Sequence, residues 1–374
     1  MQGLNETKND HQQMNCSYQE LSAFEDNFKL ITYCFLLLGS LFGNIFIIII
    51  VYKNQDLHKT VNYFIVNMAV SDLVFPLVWL PVEIVAKANN STWWRWYLSG
   101  TFGSITCKFI IFVSQVSFLV SSQSFVWIAI DRFFAVVFPV RLGFISKKIR
   151  MIAIASTWSL AAAFCFTYLL SLDLRKEGNH ACCKHTTFVS INQKDFAIYL
   201  WFQTTLLYFV PLFISTLLYA AITAALHKQS KSLANSGPRI QRNVFEKRKR
   251  AIRLSVVTMV TYFLSVSPAM LVRLHFSRVL PLSCTMIEVL RVTADVCHYA
   301  STVINPVICL SFVQSYRRGL RNILCCCFRK QRDETAQQGQ ITQKEIITPS
   351  GANYRNRRNC KVSANNEETL DTTL

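Results

Sequence analysis

Residues 113–139, VSQVSFLVSSQSFVWIAIDRFFAVVFP, are almost wholly apolar until Asp131-Arg132 interrupts them. A helix needs about 20 apolar residues to cross the hydrocarbon of a bilayer. Charge is costly at that depth, so the stretch reads as a membrane-spanning helix with Asp131 and Arg132 near one face. Six more apolar segments surround it, giving spans near 30–52, 61–85, 104–138, 149–171, 196–226, 250–276 and 285–310.

Composition agrees with the segments. Of the 374 residues, 52% are hydrophobic and 16% charged, with a net charge of +18 and a mean hydropathy of +0.28. Soluble proteins carry roughly 25% charged residues. The basic balance would also suit a nucleic-acid binder, but Lys and Arg gather in the connectors and the tail, which excludes that class. Connectors 53–60 and 139–148 are short and basic. Connector 227–249 is longer and holds Lys228, Lys231, Arg239, Arg242, Lys247, Arg248 and Lys249. The positive-inside rule puts these in the cytoplasm. The glycosylation sequons at Asn5, Asn15, Asn89 and Asn90 fall on the opposite side, so the amino terminus is expected outside the plasma membrane. No internal repeat suggests a transporter.

The chain therefore divides into an exposed tail (1–28), a seven-helix membrane bundle (29–310), a short segment (311–328) and a polar, disordered tail (329–374). Residues 311–324, SFVQSYRRGLRNIL, place Phe312, Tyr316, Leu320 and Leu324 at helical spacing with Arg317, Arg318 and Arg321 between them. This is an amphipathic helix suited to anionic membrane lipid. Cys325, Cys326 and Cys327 after it are candidate palmitoylation sites or plain thiols.

Polar and helix-bending residues recur inside the apolar segments: Gly43-Asn44, Asn67, Ser71-Asp72, Trp158, Pro211, Tyr219, Pro268, Asp295, His298 and Asn305-Pro306. Together with Cys107 before the third span and Asp131-Arg132-Phe133 after it, this ordered set resembles the rhodopsin-like (class A) G-protein-coupled receptors over residues 30–328. The resemblance implies an all-α, seven-transmembrane bundle that binds an extracellular ligand and activates heterotrimeric G proteins, with arrestin and receptor kinases as further partners. It implies that Arg132, beside Asp131 and supported by Tyr219, meets the G protein. It implies a disulfide from Cys107 to Cys182 or Cys183. It also implies that Asp72, Ser121 and Asn305, with Asn44, hold a sodium ion; the alternative reading of the same residues is a water-bridged network without an ion. No other cofactor is expected. A second bridge, Cys16 to Cys284, is a further option.

Two departures from the family stand out. Val266 replaces the usual Trp before Pro268, and Cys309 replaces the usual Tyr after Asn305-Pro306. The prolines remain, so kinks with unpaired carbonyls are expected. No acid stands where the inner salt bridge to Arg132 usually forms, with Glu246 the nearest; a weak inactive-state lock with basal activity is expected, with a poorly coupling receptor as the rival reading.

For the ligand, Ser114 occupies the place of the amine receptors' Asp, followed by Gln115, and Tyr299 the place of the opsin Lys. Glu83 and Asp295, near the outer ends of neighbouring spans, suit a basic ligand such as an Arg-bearing peptide, with an amine as the alternative. Arg273, Arg291 and His275 lie in the same region and could instead neutralise those acids. Trp93, Trp94, Trp96 and Tyr97 suit a peptide surface or an interfacial belt. His298 reads as a packed, hydrogen-bonded histidine, and no catalytic constellation suggests an enzyme. The terminal Asp371-Thr372-Thr373-Leu374 fits a PDZ-type ligand.

Overall fold

The computed structural model describes residues 23–89, 95–138, 146–177, 180–185, 193–236, 239–276, 280 and 282–325. Its spans are Ala23–Lys53, Thr60–Ala88, Gly100–Val137 and Lys147–Ser171, then a fifth built from Gln193–Thr204, a π turn at Thr205–Phe209 and Val210–Ser236. Arg239–Phe276 and Cys284–Phe312 are the sixth and seventh. Six of these helices are individually long and apolar enough to cross a membrane. The seventh qualifies together with the short helix Gln314–Cys325, which leaves it at a 91° bend. The third span packs on the second, fourth and fifth, while the first and seventh close the ring.

The longest basic connector departs from the expected loop. Helix continues to Ser236 and resumes at Arg239, so most of residues 227–249 extend the fifth and sixth spans. Lys, Arg, Gln and Ala are good helix formers, and their charges are solvated once the helix has left the bilayer. The fold is also not purely helical. Arg95–Trp96 (β1), Leu172–Glu177 (β2) and His180–His185 (β3) form an antiparallel sheet in the order β1-β3-β2 across one end of the bundle. That end is called outer here, and the end rich in Lys and Arg inner.

At Pro76, Pro211, Pro268 and Pro306 the freed carbonyls find a donor instead of being left unpaired. Proline removes the bond to the carbonyl four residues earlier, and an unsatisfied carbonyl in lipid costs several kcal/mol. Pro76 frees Asp72 O, which accepts from Ser40 Oγ at 2.9 Å. Pro211 frees Leu207 O, which faces Ser122 Oγ at 3.4 Å. Pro268 frees Leu264 O, which accepts from Ser267 Oγ at 2.8 Å. Pro306 frees Thr302 O, which accepts from Asn44 Nδ2 at 3.0 Å. Three of these donors come from another span, so each such kink doubles as a helix-to-helix tie. Gly43 completes the last one: a Cβ there would lie 2.8 Å from Pro306 Cγ, so only glycine lets the first and seventh spans approach this closely.

Asn67 ties three spans in the same manner. Its Nδ2 donates to Ser124 Oγ at 2.9 Å and Thr157 Oγ1 at 3.3 Å, and its Oδ1 accepts from Trp158 Nε1 at 2.9 Å. The amphipathic helix docks through Tyr316, which is buried and donates to Asn62 Oδ1 at 3.1 Å. Arg317, Arg318 and Arg321 stay exposed.

Candidate functional site

At the outer end the sheet decides the disulfide. Cys107 pairs with Cys183, and Cys182 stands outside that bridge. Both cysteines lie on β3, where successive side chains point to opposite faces, so only one can meet the third span. Asp173 on β2 accepts from Ser104 Oγ and from Leu174 N–H at 2.9 Å, and lies 3.9 Å from Lys108 Nζ. The Ser104 bond first, then the Leu174 N–H and the charges of Lys108 and Arg175, hold its carboxyl below the usual range. This tie is complete above the ordinary carboxylate pKa and is lost as pH falls through the lowered one. Trp96 is buried, with Nε1 donating to Thr106 Oγ1 at 3.1 Å. It anchors the loop to the third span rather than forming a peptide surface or a membrane belt. Tyr97 is exposed, and Trp93 and Trp94 lie outside the described residues.

Below the sheet, Glu83 and Asp295 both act electrostatically on Tyr299, whose hydroxyl accepts from Trp79 Nε1 at 2.9 Å. Glu83 is buried and Asp295 is on the exposed part of its helix. The second and seventh spans thus do bring the two acids into one region. Arg273 belongs elsewhere. Its guanidinium bonds Gln115, Gln203 and Tyr168, on the third, fifth and fourth spans. Ser114 is buried and its hydroxyl donates to Ile110 O of its own helix at 2.7 Å. His275 holds the turn after the sixth span, its Nδ1 accepting from Leu282 N–H at 3.2 Å. Arg291 is half-buried on the seventh span.

The middle of the bundle holds residues that sequence reading passed over. Phe118, Phe125, Tyr208, Tyr262 and Phe263 form one aromatic cluster, with Phe125 and Tyr262 centroids 4.8 Å apart. Tyr262 donates to Phe118 O at 3.2 Å and Tyr208 to Phe263 O at 3.1 Å. Val266 is small and buried in the same core as these rings, which fill the centre where the usual Trp is missing, while Cys309 is buried in a separate cluster with Ile47, Ile50 and Tyr316. The signal was available as Tyr262-Phe263, one turn below Val266. His298 stacks on Phe75 at 4.9 Å and meets Phe118 edge-on at 5.5 Å. It is packed as expected, but among the described residues its ring makes no hydrogen bond.

Next to this cluster, Asp72 accepts from Ser121 Oγ at 2.7 Å and from Asn305 Nδ2 at 3.0 Å. Ser121 and Ser71 hydroxyls lie 2.6 Å apart. Asn305 Oδ1 is a buried acceptor with no donor. An orphaned oxygen beside a single carboxylate and a hydroxyl fits a hard monovalent cation, which takes oxygen ligands. Asn44, in the same region, donates its Nδ2 to Ser40 O, Ser40 Oγ and Thr302 O. Ser301 likewise donates to its own helix, at His298 O.

The inner end carries Arg132 and Arg248, which lie close enough for their charges to act on one another. Among the described residues, neither buried Nε has a hydrogen-bond acceptor. Asp131 acts electrostatically on Arg132, but adjacent helix positions do not face each other, and among the described residues no ion pair joins them. Glu246 pairs instead with Lys249 at 3.9 Å. Tyr219 is buried beside Arg132 and Ser255.

Asn89 is described, its side chain donating to Val85 O at 2.7 Å, and Cys325 is exposed at the end of the short helix. Asn5, Asn15, Asn90, Cys16, Cys326, Cys327 and residues 371–374 lie outside the described residues.

Comparison with known proteins returns one family and many relatives. The family described as "7 transmembrane receptor (rhodopsin family)" matches residues 43–308. Neuropeptide FF receptor 2 of Mus musculus is 24% identical, over 86% of this chain and 78% of that protein. The QRFP-like peptide receptor of Branchiostoma floridae is 23% identical, over 92% and 88%. Neuromedin-U receptor 2 of Rattus norvegicus is 23% identical, over 85% and 80%.

Proposed function

Because this chain belongs to the rhodopsin family of seven-transmembrane receptors, we propose that it is a plasma-membrane receptor for an extracellular peptide and activates heterotrimeric G proteins. The peptide reading draws on relatives whose names specify peptides. An amine ligand is disfavoured because Ser114 offers no carboxylate and spends its hydroxyl on Ile110 O. Glu83 and Asp295 are the proposed anchor for a basic residue of the peptide. The amino terminus is outside, and the basic inner end faces the cytoplasm.

The observation that carries the coupling reading is the buried, acceptor-less Nε of Arg132 and Arg248 at the inner end. A buried donor without an acceptor costs about 1–3 kcal/mol. The carboxyl-terminal helix of a G protein ends in orphan carbonyls that can satisfy it. Ligand binding outside shifts a two-state bundle in which the fifth and sixth spans part, opening Arg132 to that helix. Nucleotide exchange by G proteins in membranes bearing the receptor tests this. Arg132→Ala should reduce receptor-dependent exchange to that of membranes lacking the chain. Exchange unchanged by this substitution would remove Arg132 from the coupling role.

We further propose that Asp72, Ser121 and Asn305 bind sodium when the bundle is closed. The ion supplies positive charge that offsets a buried carboxylate. Millimolar sodium should then lower basal exchange relative to a large organic cation, and Asp72→Asn should abolish that difference. A sodium effect of equal size in the variant would leave only the hydrogen-bonded network.

A further inference from the structure

The outer part of the bundle contains a cation whose partners are all neutral. Arg273 stands five residues beyond Pro268 on the sixth span. Its Nη2 donates to Gln115 Oε1 at 2.8 Å and to the Tyr168 hydroxyl at 3.3 Å, and its Nη1 donates to Gln203 Oε1 at 3.1 Å. These acceptors sit on the third, fourth and fifth spans, and those on the fourth and fifth are tied to each other. Tyr168 donates to Gln203 Oε1 at 2.9 Å, and Gln203 Nε2 donates to the Tyr199 hydroxyl at 3.3 Å. Among the described residues, no carboxylate joins the guanidinium.

That arrangement is unusual for a charge held between helices. A guanidinium withdrawn from water is normally matched by an acid. Glu83 and Asp295 are instead gathered around Tyr299, between the second and seventh spans. Arg273 thus sits among the third, fourth and fifth spans, while the two acids act on Tyr299 of the seventh. His298, itself a base, lies within the field of Arg273. Neutral oxygens position the guanidinium, yet a carboxylate bonds it roughly twice as strongly, and its two oxygens match the planar fork. Gln115 lies eight residues, about 12 Å of helix, below Cys107, on the outer side of the aromatic cluster.

We propose that Arg273 receives a carboxylate of the ligand, with Gln115, Gln203 and Tyr168 holding the guanidinium for it. The carboxylate is either the free carboxyl terminus of a peptide or an Asp or Glu side chain within it. The inference rests on the receptor reading for the side from which the ligand enters. It adds a second, opposite pole to the basic anchor, so the ligand class becomes a peptide carrying both charges.

The test uses the full-length receptor purified into lipid nanodiscs and three pools of N-acetylated pentapeptides. The first pool has free carboxyl termini and no Asp or Glu. The second has amidated termini and one Glu, and the third has amidated termini and no acid. The readout is the midpoint of thermal unfolding against pool concentration. The first or second pool should raise the midpoint, identifying a terminal or a side-chain carboxylate, and the third should not. Arg273→Gln should require about 30-fold or more of the active pool. Gln203→Glu places an acid beside Arg273 without emptying the site. It should raise the midpoint of the unliganded protein and abolish the response to either acidic pool, so the proposal does not depend on whether Arg273→Gln folds. An equal response to the third pool, an unchanged response in Gln203→Glu, or no response to any pool at about 1 mM overturns it. A receptor that responds to the acidic pools but activates no G protein leaves this inference standing and removes the coupling reading instead.

Discussion

Gly103→Ala is expected to remove the protein almost entirely from the cell surface. A Cβ at this position would overlap Leu98 O and lie 2.7 Å from Leu98 C and 2.9 Å from Leu174 Cδ2. Two of these atoms are backbone, so no side-chain rotation relieves the overlap. Residues 98–103 have to open, and the bond from Gly103 N–H to Ser99 O, 3.2 Å long, opens with them. What moves is the first turn of the third span, one turn before Cys107 and its bridge to Cys183. Ser104 and Lys108, which hold Asp173, and Thr106, which holds Trp96, lie on the same two turns. The substitution therefore acts on the disulfide, the sheet and the third span together. A loss of about 3 kcal/mol or more is the scale for such backbone overlap, and a change of 1–2 kcal/mol already alters cellular abundance several-fold. Surface and total receptor, compared through an amino-terminal epitope, measure the effect. Thiol labelling of Cys107 and Cys183 reports whether the bridge still forms. Phe102→Ala, next to it but exposed, should be close to wild type. Normal surface display of Gly103→Ala would show that the loop can yield, and with it that the outer sheet is not rigidly seated.

What the sequence could and could not tell follows from the range of each interaction. Hydropathy is local, so the spans were legible to within a few residues, apart from the basic extensions of the fifth and sixth, where charge was read as loop. Charge alone does not end a helix once it leaves the bilayer. Asn44, Asp72 and Asn305 were each visible as costly polar residues in apolar helices. Their partners were not, because partnership depends on helix rotation and on where each proline bends the chain. Asn44 therefore went to the carbonyl freed by Pro306 and not to Asp72. Cys182 and Cys183 are chemically identical neighbours, and only the register of β3 separates them. Arg273 was legible as a charge in the outer bundle, but its neutral partners lie between 70 and 158 residues away in sequence.

Arg248→Glu is expected to suppress signalling in the absence of ligand. Arg132 and Arg248 sit on the third and sixth spans, the pair whose separation exposes the coupling surface in the proposed mechanism. Two like charges there oppose closure, and the buried Nε of each lacks an acceptor, so the closed state carries both penalties. Glu246, the nearby acid, is engaged with Lys249 on its own helix and does not relieve them. Glutamate at 248 replaces repulsion by attraction and gives Arg132 an acceptor. A conservative shift of about 1–3 kcal/mol toward the closed state corresponds to about 5- to 150-fold in the closed-to-open ratio. Basal nucleotide exchange should fall by a corresponding factor, toward that of membranes without receptor, while surface amount stays the same. Arg248→Gln removes the repulsion without adding an attraction, so its basal activity should fall between the two. The order wild type, Gln, Glu is the signature of a charge effect; a lock set by packing alone would lower or raise Gln and Glu together. If wild-type membranes show no exchange above background, the repulsion does not hold the bundle open. The missing acid would then mark a weakly coupled receptor rather than a spontaneously active one.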